Sequence, residues 1–163
     1  MAYSHLYASI PYLLHSPSII LTMAQQRERR LINEYLMTFR PSDVRWVNVR
    51  LGPVANPEEA RMYSVLQRWI DCILYDGTTI TLLEAKIRPD FGVVGQIEAY
   101  DSLFSQTPEF QHYWEKPRKL AVLSAYNDMN VRTTCEEKGI EFILFTPEWV
   151  KPYLAERYRG QEQ

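Results

Sequence analysis

Asp71, Glu84 and Lys86 are the residues of this chain whose types and spacing could do chemistry together. They fall in two β-rich runs, residues 63–75 and 78–87, joined by Asp76-Gly77, the dipeptide that supplies positive φ to a type I′ hairpin turn. Strand side chains alternate between faces, so Glu84 and Lys86 project from one face of the second strand. With Asp76-Gly77 as a two-residue loop, Asp71 stands opposite Leu82 and diagonal to Glu84, within reach of one ion. Two carboxylates converging beside a lysine are costly in a core unless a divalent cation neutralises them. Asp71, Glu84 and the main-chain carbonyl of Ala85 offer hard oxygen ligands for Mg2+ or Mn2+, which would bind a phosphate and activate water. Lys86 would position or deprotonate that water, or offset negative charge developing in the transition state. That chemistry is phosphodiester hydrolysis. The competing reading is a surface hairpin whose Glu84–Lys86 pair is an ordinary exposed ion pair, since Glu-x-Lys is a common tripeptide.

The elements that must hold these residues can be read outward from the hairpin. Residues 24–38 form a helical stripe through Leu31, Tyr35 and Leu36, closed by Pro41. Val44–Leu51 alternates apolar and polar residues up to Gly52-Pro53 and predicts a strand, and Asn56-Pro57-Glu58-Glu59 predicts a loop or a one-turn helix start. After the break at Arg88-Pro89-Asp90-Phe91-Gly92, a helix is expected over residues 93–105, a short apolar strand over 119–125, and a helix capped by Asp128 or Asn130 that ends before Gly139. Residues 141–145 predict a buried strand, and Thr146-Pro147-Glu148 a final helix with Thr146 as cap. The order α-β-β-β-α-β-α-β-α implies an α/β fold, a mixed central β-sheet flanked by helices.

Gln96 and Tyr100 lie at i and i+4 on the helix that follows the hairpin, so both face the same end of the sheet. With that pair in place, residues 34–145 resemble the PD-(D/E)XK phosphodiesterase superfamily, in the branch with a Q-x-x-x-Y helix found in RecB-type nuclease domains. Asp71 matches the acidic residue of the second core strand, Glu84 and Lys86 the E-x-K of the third, and Gln96 and Tyr100 the following helix. The resemblance implies a restriction-endonuclease-like core in which these positions bind metal, carry out hydrolysis and contact nucleic acid. Ile70 stands where the family name has Pro, which harms no chemistry, and no well-placed His stands ahead of Asp71 as in some members. Members often add a Glu from the first helix; Glu34 is the candidate, with an i,i+4 salt bridge to Arg30 as its alternative role.

Composition bounds the reading. At 163 residues, 46% hydrophobic and 23% charged, the chain has the length and make-up of one globular domain. A net charge of -2 excludes an overall basic field, so nucleic-acid contact must be local. The basic clusters are Arg27, Arg29 and Arg30; Arg45 and Arg50; Lys86 and Arg88; and Lys116, Arg118 and Lys119. Cys72 and Cys135 lack CxxC spacing and the three histidines form no ligand cluster, which argues against structural zinc and for a reducing compartment. Cys72 reads as buried filler, Tyr113 and Trp114 as packing residues before base-stacking ones, and His112 as a loop residue. Residues 1–22 are apolar, contain Pro11 and Pro17 and lack Lys and Arg, fitting neither a secretory signal nor a membrane span. They read as an extension, with the domain occupying residues 23–163.

The leading expectation is a Mg2+- or Mn2+-dependent deoxyribonuclease with DNA as partner, working alone, as a homo-oligomer or within a phage, repair or recombination assembly. It would be cytoplasmic, or virion-associated. The alternative keeps the fold without turnover, as a structural or partner-binding protein of a virion or nucleic-acid-processing complex.

Overall fold

The computed structural model describes residues 23–53 and 68–159. Residues 1–22, residues 56–59 and the start of the 63–75 run lie outside them. The elements are α1 (Met23–Phe39), β1 (Val44–Leu51), β2 (Arg68–Tyr75), β3 (Ile80–Lys86), α2 (Gly92–Phe104), a 3-10 helix (Pro108–Tyr113), β4 (Arg118–Ser124), α3 (Met129–Glu137), β5 (Glu141–Leu144), a 3-10 turn (Glu148–Val150) and α4 (Lys151–Arg159). The strands form one sheet in the order β1-β2-β3-β4-β5. The first two pairings are antiparallel and the last two parallel, which makes the sheet mixed, as expected.

Helices cover both faces. On one side, Val93, Val94, Ile97, Tyr100 and Phe104 of α2 and Val131 and Cys135 of α3 pack on Trp46, Ile73, Leu82 and Val122 of the strands. On the other, the α1 stripe of Leu31, Ile32, Tyr35 and Leu36 packs with Val150 on Cys72, Leu74, Leu83, Ala85 and Leu123. β3, the middle strand, is buried from Ile80 to Ala85 because helices cover it on both faces, Thr81 and Glu84 included. Cys72 is fully buried, as read from the sequence. Among the described residues no helix is long and apolar enough to cross a membrane.

The hairpin differs from its expected register. Tyr75 pairs with Ile80 and Cys72 with Leu83, so the loop is four residues, Asp76 to Thr79, rather than two. Asp76 Oδ1 accepts the main-chain N–H groups of Thr78 and Thr79 and the Thr78 hydroxyl at 2.8–2.9 Å, and only Gly77 has positive φ, at 99°. A side chain that satisfies its own loop in this way competes with the tight two-residue turn. The shift is by two residues, so the paired side chains Cys72 to Tyr75 keep their faces while their partners change.

Two helix ends also resolve. Asp128 caps α3 through Asn130 N–H and Val131 N–H, and Gly139 follows at φ 71°. Thr146 does not cap the final helix: its hydroxyl donates to the Ala125 carbonyl at 2.8 Å, and the chain enters α4 through the 3-10 turn after Pro147. The 3-10 helix Pro108–Tyr113, absent from the sequence reading, brings Phe110 and Tyr113 edge-on to Trp46 at ring distances of 5.4 and 5.3 Å. This fits a packing role for Tyr113; His112 is exposed.

Candidate metal centre

Moving the hairpin register by two residues brings the acids closer than the sequence suggests. Continuing the β2–β3 ladder one position past Cys72–Leu83 sets Asp71 directly across from Glu84. The backbone ladder stops there, because Asp71 Oδ2 accepts the Ala85 N–H at 2.9 Å. The N–H and C=O of one strand residue point to the same side, so the Ala85 carbonyl opens toward Asp71 as well. Face alternation on β2 breaks at the same place, since Cys72 joins one core cluster while Ile70 and Ile73 both join the other. On β1, Asn48, between the partners of Cys72 and Ile70, has φ of 52°. Asn is one of the few side chains that adopts this backbone readily.

Glu84 is buried, 2% exposed. Its Oε1 accepts from Lys86 Nζ and from Gln96 Nε2, each at 2.8 Å. The other Gln96 amide N–H goes to the Tyr100 hydroxyl oxygen at 2.6 Å, and that hydroxyl donates to the Trp69 carbonyl at 2.5 Å. Gln96 therefore reaches Glu84 from α2, with Tyr100 behind it. They face inward, orienting Glu84 through a chain anchored two residues before Asp71. Glu84 Oε2 is buried and has no hydrogen-bond partner among the described residues.

The electrostatics follow from this crowding. Burial, then the charge of Asp71, pushes Glu84 up to about 7, against the pull of Lys86. Burial raises Asp71 too, opposed by the Ala85 N–H and Lys86. Burial acts to lower Lys86, but Glu84, Glu28 and Asp71 together outweigh it and hold the ammonium above its ordinary value.

From the first helix it is Glu28, not Glu34, that comes near Lys86. Glu28 Oε1 lies 4.0 Å from Lys86 Nζ, and burial, with the charge of Asp71, leaves its carboxyl raised against the pull of Lys86. Glu34 pairs with Arg30 at 3.0 Å and accepts the Trp149 indole N–H at 2.8 Å, as its alternative role required. Six residues separate the two, about 9 Å along a helix. The overlooked signal was the buried stripe: Glu28 continues Ile32 and Tyr35 by one turn toward the N-terminus, whereas Glu34 falls off it.

The donor set can be tested against a cation from these groups alone. Three acids surround one ammonium, and one carboxylate oxygen is buried without a partner. No three His, Cys, Asp or Glu side chains close on one point among the described residues. A complete protein cage is thus absent, but Mg2+ characteristically uses one or two carboxylates and keeps several waters. Asp71, Glu84 and the Ala85 carbonyl fit that pattern.

No protein-family model and no curated protein matches the chain. It is similar to solved structures. One is a repair endonuclease from Pyrococcus abyssi, at 18% identity over 81% of this chain and 50% of that chain, with a TM-score of 0.48. Another is EndoMS in complex with double-stranded DNA, at 16% identity over 80% and 48%, also with a TM-score of 0.48. A third is protein VC1899 from Vibrio cholerae, at 12% identity over 81% and 32%, with a TM-score of 0.44. The chain spans about half the length of the first two.

Proposed function

We propose that this chain is a divalent-metal-dependent nuclease with a restriction-endonuclease-like, PD-(D/E)XK core that hydrolyses phosphodiester bonds of DNA. The observation that carries the reading is the buried, unpartnered Oε2 of Glu84, set across from Asp71 and two residues from Lys86 on the same strand. Buried carboxylate oxygens are usually satisfied, and what sets this one apart from other unpartnered buried oxygens is the second carboxylate and the lysine beside it.

Asp71, Glu84 and the Ala85 carbonyl would hold Mg2+ or Mn2+. When bound, the ion supplies a Lewis acid for a phosphate oxygen and lowers the pKa of a water. The protein's own groups do the rest. Glu84 is held at a fixed angle by Gln96 and Tyr100, and Asp71 by the Ala85 N–H, so neither must reorganise as charge develops. Lys86, kept protonated by its three acidic neighbours, places a positive charge beside the pentacoordinate phosphorus. It becomes a competent proton acceptor only as the negative charge of Glu84 and Asp71 is drawn off. Cleavage of linear, circular and single-stranded DNA by the purified protein, with Mg2+ or Mn2+ against EDTA, tests the reading. Metal-dependent hydrolysis is expected, and no cleavage of any form under either metal would refute it.

A further inference from the structure

α1 carries Arg27, Arg29 and Arg30, and two of the three are committed to the fold. Arg27 lies over the Tyr153 ring at 3.8 Å, and Arg30 lies over Trp149 at 4.3 Å while pairing with Glu34. Arg29 is exposed, and makes no ion pair, hydrogen bond or ring contact among the described residues. It lines a cleft of about 60 Å3 between α1 and β1 that also contains Asp71. Gln25 and Asn33, one turn to either side of Arg29, line the same wall, and Asn48 and Val47 of β1 stand opposite. Asp71 is the cleft's one carboxylate among its lining residues; the rest of its polar lining can donate hydrogen bonds.

The dimensions favour a polymer over a small anion. From Gln25 to Asn33, α1 runs about 12 Å, and one strand of B-form DNA carries one phosphate per about 3.4 Å of helix axis while winding around that axis. The wall is therefore longer than the step between neighbouring phosphates. A guanidinium fork matches phosphate geometry, and amide side chains can donate to flanking oxygens without selecting any base.

Resting on the nuclease reading above, we propose that the α1–β1 cleft guides the sugar–phosphate strand to Asp71, with Arg29 gripping a phosphate flanking the scissile one. Gln25, Asn33 and Asn48 are its hydrogen-bonding neighbours. The contact is to backbone and therefore independent of sequence.

Steady-state cleavage of a short oligonucleotide over a salt series tests this in wild type, Arg29→Ala, Arg29→Lys and Lys119→Ala. Lys119 is exposed and pairs near the start of β3, away from the acids. Arg29→Ala should raise KM about tenfold, the scale of one lost charge-assisted hydrogen bond, with kcat within about twofold. It should lower the slope of log KM against log salt by about one. Arg29→Lys should restore the slope, and Lys119→Ala should match wild type. The Arg29→Ala defect should be several-fold smaller on bis(p-nitrophenyl) phosphate, which has no flanking phosphate. Wild-type KM and salt slope in Arg29→Ala would overturn the proposal, as would an equal loss of kcat on both substrates. If wild type cleaves nothing, the nuclease reading fails; oligonucleotide binding by fluorescence anisotropy then decides the cleft separately, and unchanged affinity in Arg29→Ala overturns it.

Discussion

Replacing Glu84 by Gln should remove most of the pH dependence of the metal-free protein's stability. In the unfolded chain a glutamate titrates near 4.5, whereas burial and Asp71 push the folded-state value to about 7. Between those values the folded protein binds more protons than the unfolded one, so stability falls as pH rises and levels off above the folded value. The shift corresponds to about 3 kcal/mol lost between about pH 5 and pH 8, or about 6–12 °C in Tm for a protein of this size. Asp71 and Glu28, also raised, add to the fall in the same direction. Glu84→Gln removes the largest contributor, and its loss of stability over this range should be less than half that of wild type. Absolute stability is the poorer readout, because the same change takes the negative charge from the 2.8 Å partner of Lys86. Urea unfolding in EDTA, followed by tryptophan fluorescence across the pH range, measures both curves. Mg2+ at one hundred times its Kd should return about 2.7 kcal/mol to wild type at pH 8 and nothing comparable to the variant. Parallel pH curves for the two proteins would refute the reasoning.

Other consequences are equally concrete. Asp71→Ala should abolish divalent-cation binding by calorimetry while circular dichroism stays native, since its side chain holds one N–H at the end of the β2–β3 ladder and belongs to neither core cluster. Lys86→Ala should keep metal affinity and lower kcat by about 10²-fold or more; loss of metal binding without a rate defect would mark the lysine as structural. Tyr100→Phe removes the donor to the Trp69 carbonyl and the acceptor for Gln96. It should cost about 1–2 kcal/mol of stability and lower kcat, and an unchanged kcat would show that Glu84 needs no orientation from α2. A protein beginning at Met23 should melt as the full chain does and retain cleavage, with any difference confined to light scattering; unfolding of the shorter form would make residues 1–22 part of the core.

Much of the fold was legible because local chemistry and tertiary packing agree. Val44–Leu51 alternates and is a strand at those bounds, and Asp128 and Gly139 mark the ends of α3 as their side-chain and backbone preferences demand. Where local signals competed, the sequence was ambiguous. Asp76 could serve either a two-residue turn or its own four-residue loop, and three hydrogen bonds to one carboxylate oxygen decided it. Asp71 stayed beside Glu84 through that change, passing from diagonal to directly across, because the register moved by two residues. Glu28 sits among polar residues, Gln25 to Arg30, and although it extends the Ile32–Tyr35 stripe, it is the packing of α1 on the sheet that brings it near Lys86. No local pattern reveals that Asn48 takes a left-handed backbone beside Asp71. The inward path from Gln96 through Tyr100 to Trp69 likewise depends on how α2 docks. Residues i and i+4 share a face, but the sequence does not show whether that face meets solvent or a buried acid.

The account stands most directly on whether Asp71 and Glu84 share a cation that is needed to cut DNA. Mn2+ titration monitored by calorimetry and DNA cleavage should be measured on the same preparations of wild type, Asp71→Ala and Glu84→Ala at neutral pH. Wild type should bind the cation and cleave, with half-maximal cleavage at the concentration that half-saturates binding, and each variant should lose both properties while remaining folded. Cleavage that persists in either folded variant, or binding that is unaltered by both substitutions, would contradict the account.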